Sequence, residues 1–287
     1  MIKNIPEPDD FYISSMNYLN MAWGVAIEIQ SAMTEISHSN LEREEVEAFK
    51  KSNKFYLNNC LMLVHQAVEL YLKFRISEVN PLLLVDLKNG DKDADFSDLV
   101  SIGAKQLIKV HDSVIPKKLG RKVEKVYNDI RIKRNKIMHS TGRVLQEEGG
   151  IISQILYISK YLLDKPWLEI RAEFLTGRRY LGHDTSLEQI NSEFEHCLEV
   201  LNEQDVRFLL GVTRSDLKFF CPMCSEHFEG LSQYKTLGTK EKEGAVCVIC
   251  KRVAQFEDFK CVDCNLSAVD SDYYSCLSCL TEYEKEV

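Results

Sequence analysis

Towards its C-terminal end this 287-residue chain carries four Cys-x-x-Cys pairs: Cys221 and Cys224, Cys247 and Cys250, Cys261 and Cys264, Cys276 and Cys279. Such a pair holds two corners of a tetrahedral ion through a tight knuckle, so two pairs complete a closed site. Four pairs therefore call for two zinc ions. Sequential pairing, first with second and third with fourth, is the expected arrangement, with nested and crossed pairings as alternatives. Using all eight thiolates leaves no open coordination position, so both ions are expected to be structural and to hold together a core too small to fold alone.

Residues 215–287 hold 8 Lys and Arg against 13 Asp and Glu, a net charge of −5. Eight thiolates around two zinc ions make it more negative still, a poor surface for RNA. This cysteine-rich, double zinc-binding domain of the zinc-ribbon kind is expected to dock a regulatory protein, to extend a dimer, or to stabilise the fold. Cys60 and Cys197 stand apart among apolar residues and are expected in the core.

Residues 1–214 show helical periodicity broken by loops, which makes the expected fold mainly α, a helical domain followed by the small double zinc module. Helices are expected over about 12–36 and 44–79, the second with a possible break at Ser52-Asn53 and an apolar stripe of Leu57, Leu61, Val64, Val68 and Leu72. Pro81 and a turn at Asn89-Gly90-Asp91 follow it. Further helices are expected over about 99–111, from Leu119 through His139, and around 151–163 and 187–210.

The net charge of −8 argues against a general nucleic-acid coat, which needs widely spread Lys and Arg. The apolar runs 21–27 and 60–64 are too short to span a bilayer, and the first ten residues lack the apolar core of a secretory signal. A cytoplasmic protein with no membrane partner is expected, and in a reducing compartment its ten cysteines serve as ligands or core residues rather than disulfides.

Against this acidic background stands one basic run: Lys117, Lys118, Arg121, Lys122, Lys125, Arg131, Lys133, Arg134 and Lys136, opposed only by Glu124 and Asp129. Val123, Tyr127, Ile130 and Ile137 form an apolar stripe along this helix, and Arg134 lies on the same stripe. A guanidinium there is costly to bury unpaired. It must pair with a carboxylate, for which Glu69 is a candidate, or face a ligand or a partner subunit.

His139 follows five residues later, about 140° round an ideal helix. Arg134 and His139 converge only if the helix loosens near Met138 or if two copies of it meet. An Arg followed by a His at such spacing occurs about once by chance in a chain of this composition. Arg178 and His183, flanked by Gly177 and Gly182, form a second match that reads as a loop.

The segment Arg134-Asn135-Lys136-Ile137-Met138-His139, on a helix and among lysines, resembles the Arg-polar-x-x-x-His motif of the HEPN superfamily, helical-bundle proteins that include ribonucleases. Val64-His65-Gln66-Ala67-Val68-Glu69-Leu70-Tyr71-Leu72-Lys73 resembles the apolar helix with an embedded Glu of the same proteins. The resemblance covers roughly residues 10–210.

It implies metal-independent RNA cleavage at a composite site of a homodimer. Arg134, His139 and Asn135 would be catalytic, Glu69 supporting, and Arg131, Lys133 and Lys136 would contact RNA. It further implies a toxin or antiviral defence effector. Ser140 and Thr141 follow the His where a related family pattern has a Tyr two residues beyond it, which speaks against silencing by nucleotide transfer to such a Tyr.

The competing expectation is a non-catalytic, zinc-scaffolded helical adaptor that binds a protein or RNA partner. In that case Arg134 is a structural ion pair, His139 a helix-terminal residue stabilised by the dipole, the lysine run a solvated face, and His65 with Glu69 a local structural pair.

Overall fold

The computed structural model describes residues 2–86, 93–139, 147–176, 186–225, 235–240 and 244–284. The turn at Asn89-Gly90-Asp91 and the Arg178 and His183 pair lie outside them. The chain divides into two compact units, Met1–Asp164 and Lys165–Val287.

The first unit is a helical bundle. Helix α1 (Pro8–Ser37) and helix α2 (Arg43–Ser77) pack along their lengths, and Ser15 Oγ donates to the Ala67 carbonyl across them at 2.8 Å. Both start on the same device: the side chain three residues in reaches back, Asp10 Oδ2 accepting from the Glu7 N–H and Glu45 Oε2 from the Glu42 N–H, each at 3.0 Å. The stripe Leu57, Leu61, Val64, Val68 and Leu72 is buried, as is Cys60, opposite Leu19, Trp23, Ala26 and Ile27 of α1.

Helix α2 is continuous through Ser52-Asn53, where the sequence allows a break. Ser52 Oγ and Asn53 Nδ2 both donate to the Phe49 carbonyl, at 2.8 and 3.1 Å, so these polar side chains are satisfied without opening the helix. Helices α3 (Ala104–Val114), α4 (Arg121–His139) and α5 (Glu148–Ile158) also pack on α2. The start of α3 falls later than residue 99 because Ser101 is held in a bridge to Val85 and residues 96–98 form a 3-10 turn. Burial of Val123, Tyr127 and Ile130 fixes which face of α4 meets the bundle.

In the second unit α6 (Trp167–Thr176) packs on α7 (Ser186–Val200). The periodicity gave no sign of α6, a ten-residue helix whose inner face carries an arginine. Arg171 is buried and chelates Glu193 through Nε at 3.1 and 3.0 Å and through Nη2 at 2.7 Å, with Gln189 adding a donor at 2.9 Å. Cys197 is buried, as expected. The helix expected over 187–210 is interrupted once: α7 ends at Val200, Asn202 caps a short helix α8 (Glu203–Asp205), its Oδ1 accepting from the Asp205 N–H at 2.9 Å, and a π-helical turn over Val206–Leu210 carries it to the expected end.

The cysteine-rich part begins with strand β1 (Leu217–Phe219) and the short helix α9 (Pro222–Ser225). Strands β2 (Leu237–Lys240), β3 (Gly244–Cys247) and β4 (Val253–Ala254) extend β1 into an antiparallel sheet of order β1-β2-β3-β4. Gly244 is needed at the start of β3: its φ is +87°, and a Cβ would lie 2.0 Å from the Ala254 carbonyl oxygen. Strands β5 (Val269–Asp270) and β6 (Ser275–Cys276) form a separate hairpin. The fold is thus mainly α with a C-terminal cysteine-rich region. No described helix is long and apolar enough to cross a membrane.

Candidate functional site

The eight paired cysteines gather into two sets of four, Cys221, Cys224, Cys247 and Cys250, and Cys261, Cys264, Cys276 and Cys279. This is the sequential arrangement. Within each set the sulfurs all lie within 4.8 Å of one another. Contacts within the sets include 3.5 Å for Cys221 and Cys250, 3.7 Å for Cys224 and Cys247, 3.5 Å for Cys261 and Cys279, and 3.6 Å for Cys264 and Cys276. Four sulfurs at about 2.3 Å from a central ion stand about 3.8 Å apart, so each set has the size of a tetrahedral metal site.

Local backbone builds the knuckles. Lys251, Asn265 and Leu280, each directly after the second cysteine of a pair, adopt positive φ of 63°, 59° and 66°. Their N–H groups donate back to the carbonyls of Cys247, Cys261 and Cys276 at 3.1, 2.9 and 2.7 Å. Every cysteine is free of disulfides. Thiols this close cannot all lose their protons without a cation: contact with Cys221 holds Cys247 far below the thiol range and pushes Cys224 far above it. A metal ion removes that conflict.

The two sets belong to one small core. Phe219 and Phe256, with ring centroids 5.2 Å apart, pack against the cores of both. Arg252 follows the second knuckle closely and binds Asp270 of β5 through two parallel hydrogen bonds of 2.9 and 2.7 Å, while also reaching Asp272 at 2.8 Å. The first set is the drier one. Cys221, Cys224 and Cys247 are buried, whereas Cys264 is half-buried and Cys279 exposed.

On α4 the RNA-directed candidates are distributed over several faces. Arg134 is half-buried, and its Nη1 donates to Asn135 Oδ1 at 3.0 Å. Among the described residues it has no carboxylate partner within ion-pair distance. Glu69 instead accepts from the Tyr127 hydroxyl at 3.2 Å and lies 3.7 Å from His65 Nδ1. The His65 ring stacks on Tyr127, with centroids 5.6 Å apart and planes inclined by 10°.

Burial is the main force holding His65 neutral, below the usual imidazole range; Glu69 opposes it, and the charges of Arg134 and Arg131 reinforce it. The charge of Arg134 is thus felt at the buried His65. Burial, followed by Glu69, also drives the Tyr127 hydroxyl well above its ordinary pKa. Arg131 Nη2 donates to Asn128 Oδ1 at 3.4 Å, and Arg131 Nε is buried with no hydrogen-bond partner among the described residues.

His139 is exposed at the last position of α4, which stays α-helical to its end. Loosening near Met138 is therefore not how Arg134 and His139 could converge, and within one chain they face different directions. Lys133 is half-buried and Lys136 exposed. Beside them opens a cleft of about 320 Å³ lined by Asp129, Ile130, Ile132, Lys133, Lys136 and, from α5, Gln154. Sequence reasoning passed over Tyr127 as a polar partner and gave Gln154 no role; neither carries a local signal.

Comparison of the chain with protein-family models, curated proteins and solved structures finds no significant match.

Proposed function

We propose that this chain is an endoribonuclease of the HEPN type that acts as a homodimer, with two structural zinc ions in its C-terminal module. One observation carries the reading: among the described residues Arg134 has no carboxylate partner, and it stands next to Asn135, about one and a half turns before the exposed His139, on the strongly basic helix α4 of an acidic chain.

The chemistry asks little of the fold. A ribose 2′-hydroxyl attacks the adjacent phosphorus, one histidine takes the hydroxyl proton, a second gives a proton to the leaving 5′-oxygen, and arginine stabilises the phosphorane. One chain supplies one exposed histidine on α4. A two-fold axis beside α4 supplies a second His139 and a second Arg134, and so joins the two faces that a regular helix keeps apart. Lys133, Lys136 and Arg131 hold the flanking phosphates.

Zinc fits both sulfur sets, because closed four-thiolate tetrahedra are its usual structural site. Each ion would be held by its four cysteines with no open position and would supply fold stability. Cleavage is accordingly placed on α4. The acidic module is the surface for an inhibitor or activator, which a toxin or antiviral effector needs.

The test is cleavage of a mixed pool of tRNA and single-stranded RNA, with EDTA exposure short enough to spare the thiolate sites. Wild type is expected to cleave, and Arg134→Ala and His139→Ala to lose cleavage while keeping fold and metal. If all three bind RNA and none cuts it, the chain is a binding adaptor.

A further inference from the structure

The cleft along α4 has a chemical character of its own. Ile130 and Ile132 give it apolar wall, Lys133 and Lys136 a cationic rim, and Asp129 an exposed carboxylate. From α5, Gln154 adds a carboxamide whose Oε1 is buried and has no hydrogen-bond partner among the described residues. Buried acceptors are nearly always satisfied, so this one calls for a donor that the described residues do not provide. The terminal torsion of a glutamine is soft, and a small turn brings the oxygen to an incoming group. At about 320 Å³ the cleft also falls within the size range of small-ligand sites, about 300 to 1,000 Å³.

We propose that this cleft is a base-recognition subsite that takes an adenine or cytosine of single-stranded RNA, with Gln154 Oε1 and the Asp129 carboxylate accepting from the exocyclic amine of the base. The proposal rests on the RNA reading of α4 given above and adds a specificity to it. Apolar walls receive the faces of a base, and the two lysines, one turn apart on α4, receive its phosphates. Adenine N6 and cytosine N4 are donors, whereas uracil places the O4 acceptor at the corresponding edge, where it would face two oxygens. Lys136 lies one turn before His139, so a nucleotide seated here points its backbone along α4 towards the proposed catalytic histidine.

The experiment is a titration of the full-length His139→Ala protein, with fluorescence anisotropy of labelled oligoadenylate, oligocytidylate and oligouridylate of equal length at fixed salt. Oligoadenylate and oligocytidylate are expected to bind about five- to tenfold tighter than oligouridylate, the worth of one or two hydrogen bonds. Adding Gln154→Leu, or separately the exposed Asp129→Ala, should bring them towards the oligouridylate value, with circular dichroism and melting temperature preserved.

Equal affinities before the substitutions, a preference that survives both of them, or no binding of any oligomer would each overturn the proposal. The two readings fail separately. Amine-base preference in a protein that cuts no RNA would keep the subsite and remove the ribonuclease; uniform cleavage of all homopolymers without preference would do the reverse.

Discussion

Arg252 and Asp270, one beside a knuckle of the first sulfur set and the other on a strand leading to the second, are joined by two parallel hydrogen bonds of 2.9 and 2.7 Å. Asp270 is fully buried and also accepts the N–H groups of Asp272 and Tyr273, at 3.0 Å each. The guanidinium lies 4.8 Å over the Tyr273 ring. Removing one member of a buried pair leaves the other charge without compensation and typically costs about 3 to 5 kcal/mol. Arg252→Ala is expected to lower the stability of the cysteine-rich module by roughly that amount and to speed metal release from both sets. Limited proteolysis and release into a chromogenic chelator measure the two effects; if neither rate moves, the ion pair does not join the sites.

The unequal burial of the sulfur sets sets an order of metal loss. Cys279 is exposed, while three of the four sulfurs of the first set belong to buried residues. The protein is expected to carry two ions, and Cys279→Ala to carry one with the first set intact. Elemental analysis after mild chelation should show the second set emptying first. Simultaneous loss of both ions would contradict that order.

His65 makes the helical bundle sensitive to acid. Its folded pKa lies below the ordinary value of 6.5, chiefly because it is buried. An unfolded chain therefore takes up the proton first as pH falls. The stability due to neutral His65 is complete above pH 6.5 and is lost as pH drops from there through the lower folded value. Urea midpoints of wild type between pH 8 and pH 5 should fall more steeply than those of His65→Leu, whose profile lacks this component; parallel profiles would remove His65 as the cause.

The dimer can be tested by subunit mixing. Because the proposed site draws one His139 from each chain, a dimer of one wild-type and one His139→Ala subunit is expected to be inactive. Mixed in equal amounts with free exchange, the two proteins should show about half the activity of the same wild type left unmixed, since half the dimers are mixed and about a quarter remain fully wild type. Unchanged activity despite demonstrated exchange would place the whole site within one chain.

Much of the structure follows from local pattern. The stripe from Leu57 to Leu72 is buried because spacings of three and four put those side chains on one face of any helix. Helix α6 leaves no apolar stripe in the sequence because its inner face holds Arg171, a residue that periodicity counts as polar. Burial of that arginine depends on Glu193, 22 residues away on another helix. The same limit hid the partner of Glu69: the helix pattern offered Arg134, and packing gave Tyr127 and His65.

The sequence by itself determined the knuckles, the main helices and the one basic helix, because each depends on residues within a turn or two of one another. Only the tertiary structure decided which knuckles share a sulfur set, that Arg134 meets no carboxylate among the described residues while its charge is felt at a buried His65, and that Gln154 lines a cleft beside Lys133. Those relationships join residues 12 or more positions apart. The pairing of a charge or a hydrogen-bonding group at such distance is set by the packing that desolvates it, and no local pattern records that packing.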